Sequence, residues 1–134
     1  ALTIEDLRAI AAPVELWPAQ SIALKEGLLD ADLQSFGFAA PTGTGKTALT
    51  RILIANALKQ NPGSKVFYIC PSRALVHEVW SDLSESLKGI GATVFEAGGH
   101  LTAHETLIPA ATPDVIVFTP ERADLLLRVD PEFL

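Results

Sequence analysis

GFAAPTGTGKTALTRILIANAL, residues Gly37–Leu58, joins a short apolar run to a loop of small residues and then to a helical repeat. The loop, AAPTGTGKT, has glycines at Gly43 and Gly45 where tight turns are needed and a lysine and a hydroxyl at Lys46 and Thr47. Small residues let the backbone wrap closely around a phosphate chain. The N–H groups of Thr44, Gly45, Lys46 and Thr47 point into such a loop, and a helix starting near Lys46 adds its positive dipole end. In this reading Thr42, Gly43, Thr44, Gly45, Lys46 and Thr47 form the phosphate-binding set. Lys46 reaches the β- and γ-phosphates of a nucleotide and the Thr47 hydroxyl ligates Mg²⁺. The strict pattern opens with glycine, and here that position is Ala40. The competing explanation is a glycine-rich turn with a chance lysine and threonine. The apolar run before and the helix after argue against it.

Outward from the loop, the chain alternates. GFAA reads as a short buried strand, and KTALTRILIANALKQ as a helix stopped by the turn signal Asn61–Gly63. KVFYIC is almost continuously apolar, as in a strand buried on both faces. SRALVHEVWSDLSESLK puts Leu75, Val76, Val79, Trp80, Leu83 and Leu87 on one face, with Ser72 as N-cap and Gly89 as C-cap. ATVFEA and DVIVFT read as strands, the second followed by a helix with Thr119 as cap and Pro120 first. Upstream, Thr3 and Asp6 suit the start of a short helix ended by Pro13, and Pro18 opens another. Strands joined by crossover helices make an α/β fold with a mostly parallel sheet.

Composition narrows the classes. The 134 residues suffice for one domain with a core. Apolar residues at 49% and charged residues at 19% describe a soluble globular chain. No apolar run reaches membrane-spanning length, and the start lacks a signal-peptide pattern. The single cysteine, Cys70, sits in an apolar run and reads as a buried thiol in a reducing, cytoplasmic setting. A net charge of −6 argues against a wholly basic nucleic-acid-binding surface. A local site built from backbone N–H groups and one or two arginines remains compatible with it.

Three further stretches carry a resemblance. LWPAQ (Leu16–Gln20), PSRALVHE (Pro71–Glu78) and TPERADLLLR (Thr119–Arg128) resemble, in order, the Q-motif region, motif Ia and motif Ib of superfamily 2 helicases, the DEAD/DExH group. APTGTGKT is similar to that group's P-loop, and Gly98 and Gly99 stand where it often has a glycine pair. PSRAL and TPER look more like the Ski-like DExH type than the DEAD-box type. The resemblance covers Leu16 to Arg128. It implies a three-layer P-loop NTPase fold, RecA-like and truncated, with residues 1–134 as one partial ATP-binding domain. It implies ATP and Mg²⁺ as cofactors, with Gln20 reading N6 and N7 of adenine. It also implies that Ser72, Arg73, Gly98, Gly99, Thr119 and Arg122 hold the sugar–phosphate backbone of a nucleic-acid strand, RNA or DNA. Ser72 and Thr119 serve equally as plain helix caps, and the two roles are compatible.

Other constellations are weaker. His100 and His104 with Glu105 lack a metal-site arrangement and read as solvated loop residues, and His77 reads as surface. Trp17 and Trp80 fall at apolar positions and read as core. The resemblance also exposes an absence. The group's D-E-x-D/H box, which supplies the second Mg²⁺ carboxylate and the water-orienting base, has no counterpart here. In DVIVFTPE the aspartate precedes the apolar run, at the wrong end. The second motor domain, with its arginine finger, is expected elsewhere in cis. The expectation is a helicase fragment that binds ATP, does not hydrolyse it alone, and leaves a sheet edge open to self-association. Another P-loop ATPase or kinase, or a non-catalytic nucleotide-binding module, stays as an alternative.

Overall fold

VIVF, the run Val115–Phe118, is apolar at every position, so neither of its faces is suited to water. In the structure, a computed structural model that describes residues 2–10, 12, 16–30, 35–41, 43, 45–97 and 113–129, this run is the central strand of the sheet. The elements are α1 (Ile4–Ala9), α2 (Pro18–Lys25), α3 (Lys46–Gln60), β1 (Val66–Ile69), α4 (Arg73–Leu87), β2 (Val94–Ala97), β3 (Val115–Phe118) and α5 (Pro120–Val129). A 3₁₀ turn at Lys88–Ile90 follows α4. The strand order is β1-β3-β2, and both pairings are parallel, with Val115 opposite Val66 on one side and Val94 on the other.

The alternation along β3 separates two cores. Val115 and Val117 face a cluster with Ile52, Ala55, Val76, Leu83 and Leu87 of α3 and α4. Ile116 and Phe118 face the other way, onto Ala97, Phe67, Phe95 and Ala123 of α5. Helices therefore cover both faces of the sheet, the layering of a RecA-like domain. Fully burying one such side chain stabilises the fold by roughly 1.5–3 kcal/mol.

Local signals set several boundaries. The Thr3 hydroxyl accepts from the Asp6 N–H and the Asp6 carboxylate accepts from the Thr3 N–H, a complete capping box for α1. Lys59, at the end of α3, donates to the same carboxylate. Ser72 caps α4, its hydroxyl accepting from the Leu75 N–H at 3.4 Å. The apolar stripe of α4 faces the core as its spacing predicts, and Cys70 is buried.

Four expectations are corrected. Gly37–Ala40 forms no strand, because a strand requires a partner row of backbone groups and none of the described strands pairs with it. KVFYIC is not buried on both faces: β1 pairs only with β3 among the described residues, and Ile69 is 55% exposed. Gly89 is not the C-cap of α4. The helix tightens into the 3₁₀ turn and Gly91, at φ 73°, closes it. Gly89 is small for another reason, since a Cβ there would lie 2.3 Å from the Ala9 carbonyl oxygen. Trp17 is 52% exposed, outside the core, whereas Trp80 is half-buried with its indole N–H donating to the Val94 carbonyl at 3.3 Å. Among the described residues no helix is long and apolar enough to cross a membrane.

Candidate functional site

The phosphate loop meets α3 at Gly45, whose φ of 81° lies in the left-handed region. The first intrahelical bond runs from the Leu49 N–H to the Gly45 carbonyl, 3.2 Å. The N–H groups of Lys46, Thr47 and Ala48 precede it and have no acceptor within the helix. A 15-residue helix thus begins at the loop with donors directed outward from its first turn. Gly43 also takes a left-handed φ, 79°. The Lys46 ammonium folds back across the loop and donates to the Ala40 carbonyl. Both Lys46 and Thr47 are exposed. Thr42 and Thr44 lie outside the described residues.

Gln20 lies against this loop although 25 residues separate it from Gly45. It is the third residue of α2, and its Oε1 accepts from the Trp17 N–H at 2.9 Å, the returning half of a capping box. Its Nε2 donates to the Gly45 carbonyl, also at 2.9 Å. The side chain is 1% exposed, so the carboxamide is an internal tie between α2 and the loop. A Cβ on residue 45 would stand 2.1 Å from that Nε2, so glycine is required here by both conformation and contact. One N–H and one lone pair of the carboxamide remain beyond these two bonds.

The fit of a nucleotide follows from the donor set. Amides at a helix start, a lysine and an exposed hydroxyl suit a phosphate chain carrying Mg²⁺, a cation that keeps several waters and takes few protein oxygens. Thr47 and Thr50 share a cavity of about 450 Å³ with Tyr68, Glu78 and Asp82. Asp82 is already paired with Arg51, whose Nε donates at 3.1 Å. Burial pushes the Tyr68 phenol up from its ordinary pKa. Among the described residues no group of three or more His, Cys, Asp or Glu is gathered to hold a metal ion by itself. His100 and His104 lie outside the described residues. His77 is exposed and pairs with Glu96 at 3.1 Å.

The second constellation forms at the carboxyl ends of β1 and β3. The Cys70 N–H donates to the Phe118 carbonyl at 2.9 Å, so the loops after the two strands are neighbours. Ser72, Arg73, Thr119, Glu121 and Arg122 line one cavity of about 460 Å³ there. Thr119 is buried beneath this cavity. Hydrogen bonding by the Thr119 hydroxyl, then by the Glu121 N–H, with the positive charge of Arg73 adding to it, holds the Glu121 carboxyl below the usual carboxylate range. Gly98 and Gly99 lie outside the described residues. The sequence reading singled out Ser72, Arg73, Thr119 and Arg122 but passed over Glu121. A carboxylate in the first turn of a helix reads as an ordinary complement to the dipole.

Asp114 sits at the amino end of β3, where its Oδ2 accepts from the Thr93 N–H at 2.7 Å and the Thr93 hydroxyl at 2.9 Å. It clamps the starts of β2 and β3 together and faces away from the loop edge.

Comparison with known proteins identifies the family. The family model described as DEAD/DEAH box helicase matches residues 17–133. A DExH-box ATP-dependent RNA helicase of Arabidopsis thaliana is 41% identical over 100 residues, covering 66% of this chain and 4% of the relative. The ATP-dependent DNA helicase Hel308 of Pyrococcus abyssi is 34% identical over 114 residues, covering 85% of this chain and 15% of the relative. The Hachiman protein HamB of Bacillus cereus is 33% identical over 115 residues, with 85% and 10% covered. The chain therefore spans only a small part of the length of these curated relatives. With a family match across most of its residues, the chain belongs to the DEAD/DEAH box helicases.

Proposed function

We propose that this chain is the ATP-binding portion of the first motor domain of a nucleic-acid helicase, which couples ATP hydrolysis to strand unwinding or translocation in the intact protein. The observation that carries the reading is the contact of Gln20 with Gly45 at the mouth of α3. It joins the segment that resembles the adenine-reading motif to the phosphate loop. In this reading the amides of Thr44, Gly45, Lys46 and Thr47 cradle the phosphates, with Thr42 and Gly43 shaping the loop. Lys46 exchanges the Ala40 carbonyl for phosphate oxygens, and Thr47 supplies one oxygen to Mg²⁺. Gln20 reads adenine with the N–H and lone pair its internal bonds leave over. Ser72, Arg73, Gly98, Gly99, Thr119 and Arg122 hold one strand by its backbone, RNA or DNA.

Hydrolysis requires a further carboxylate and a group that orients water. Asp114, committed to Thr93, does not supply them, so this stretch alone binds ATP without turning it over at a useful rate. The acidic box and a second motor domain belong to other parts of the intact protein. The test is phosphate release by the intact protein with and without single-stranded oligonucleotide. Stimulation by the strand, abolished by Lys46→Ala and diminished by Arg73→Ala, supports the reading. ATP turnover indifferent to nucleic acid would replace it with that of a different P-loop ATPase.

A further inference from the structure

Two helices carry the two sites of the proposed function. α3 starts at the phosphate loop, with Lys46 and Thr47 in its first turn. α4 starts at the strand-facing edge, with Ser72 as its cap and Arg73 as its first residue. On the core side the helices share one apolar cluster, Ile52 and Ala55 with Val76, Leu83 and Leu87. Beside Thr47 the packing opens into the cavity of about 450 Å³ that Thr47 and Thr50 share with Tyr68, Glu78, Val79 and Asp82. Interdigitated side chains fix the separation of two helices, and an open cavity does not. The Thr50 hydroxyl donates back to the Lys46 carbonyl of its own helix, 3.0 Å, and makes no tie to α4. Arg51 does make one. Its Nε donates to Asp82 Oδ2 at 3.1 Å, and its Nη2 donates to Asp82 Oδ1. Among the described residues this fork is the one polar side-chain contact between α3 and α4.

We infer that Arg51 and Asp82 are a positioning pair, which sets the start of α3 against the start of α4 so that a filled phosphate loop and a held strand favour each other. The inference rests on the helicase reading above and adds to it the contact that links its two sites. Two parallel bonds from a planar guanidinium fix orientation as well as distance, which a single hydrogen bond or a lysine would not. The pair is also sheltered, with the Arg51 and Asp82 side chains 18% and 34% exposed, so salt screens it less than an ion pair in open water. Arg51 stands one turn beyond Thr47, about 6 Å along the helix axis. A displacement of the loop helix on nucleotide binding therefore reaches Asp82, and through α4 the Arg73 end. Without the fork the cavity lets the two helix starts shift separately, and occupancy of one site no longer biases the other. Neither residue belongs to the phosphate-binding or the strand-binding set, so the pair acts only through the helices that carry Thr47 and Arg73.

The test is a coupling measurement on the intact protein at fixed salt. Binding of fluorescein-labelled oligo(dT) and oligo(U) is read by anisotropy with and without saturating Mg-AMP-PNP, and the ratio of the two Kd values is the coupling factor. The wild-type factor is expected in the range of about 5 to 150. Arg51→Ala and Asp82→Asn should each lower it at least about threefold, while each ligand alone binds within about twofold of wild type. Arg51→Lys keeps the charge but not the fork, and should fall between. The exchanged pair, Arg51→Asp with Asp82→Arg, should recover coupling. Melting temperatures are taken for every variant. If they fall while the coupling factor stays at the wild-type value, the pair merely holds the fold and the inference is refuted. If wild type binds both ligands independently of each other, the inference is refuted and the two binding sites stand. If wild type fails to bind the nucleotide or both oligonucleotides, the proposed function itself fails and the inference falls with it.

Discussion

The two ends of the β-sheet spend their polar residues differently. At the amino end, side chains close on one another. Asp114 takes two bonds from Thr93, and Asp6 takes Thr3 and Lys59 together. At the carboxyl end and along the phosphate loop, Lys46, Thr47, Ser72 and Arg73 are exposed, and glycine replaces side chains where the backbone turns. The amino end is built to hold the strands in register. The carboxyl end leaves donors for something that is not the protein, as ligand edges of parallel sheets do.

Substitutions should separate the two ends. The largest effect is expected between them. Ile116→Ala removes a fully buried side chain from the central strand and should lower stability by about 2–5 kcal/mol, read from denaturant midpoints, taking ligand binding down with it. Lys46→Ala should weaken Mg-ATP binding by roughly tenfold to a hundredfold, the range for a hydrogen bond to a charged group. Its melting temperature should stay close to wild type, because Lys46 is exposed. Asp114→Ala should do the reverse and lower stability by roughly 1 kcal/mol with ATP affinity unchanged. A variant that moves both quantities from one end would erase the distinction.

The smallest effect is a dependence on pH. The Lys59 ammonium, then the Thr3 N–H and hydroxyl, hold the Asp6 carboxyl well below the usual carboxylate range. The unfolded chain therefore binds this proton more readily than the folded one. The resulting stability is present above the ordinary carboxylate pKa, near about 4, and is lost as the pH falls through and below it. Melting temperatures measured down the acid range should fall less steeply in Asp6→Asn than in wild type. Parallel curves would show that the ion pair adds nothing.

Much of this was legible in the sequence where the signal was local. The bounds of α3 follow from Gly45 and the Asn61–Gly63 turn, and those of α4 from Ser72 and its apolar stripe. The phosphate loop is local too, since its glycines, lysine and threonine are consecutive. What the sequence did not show depends on partners far along the chain. Gly37–Ala40 has a strand's composition but lacks a paired neighbour among the described residues. The Gln20–Gly45 bond joins residues with no spacing rule between them, and it makes Gln20 a tie within the protein before it is anything else. Gly89 marks a close approach of the 3₁₀ turn to α1, a contact invisible from its position at a helix end.

The most direct measurement is calorimetric titration of this chain with Mg-ATP and Mg-GTP, with Lys46→Ala and Gln20→Ala alongside. The account predicts that ATP binds in preference to GTP, that Lys46→Ala loses most of the affinity, and that Gln20→Ala loses both affinity and the preference for adenine. Equal binding of the two nucleotides, unchanged by Gln20→Ala, would contradict it and leave a phosphate loop without an adenine-reading partner.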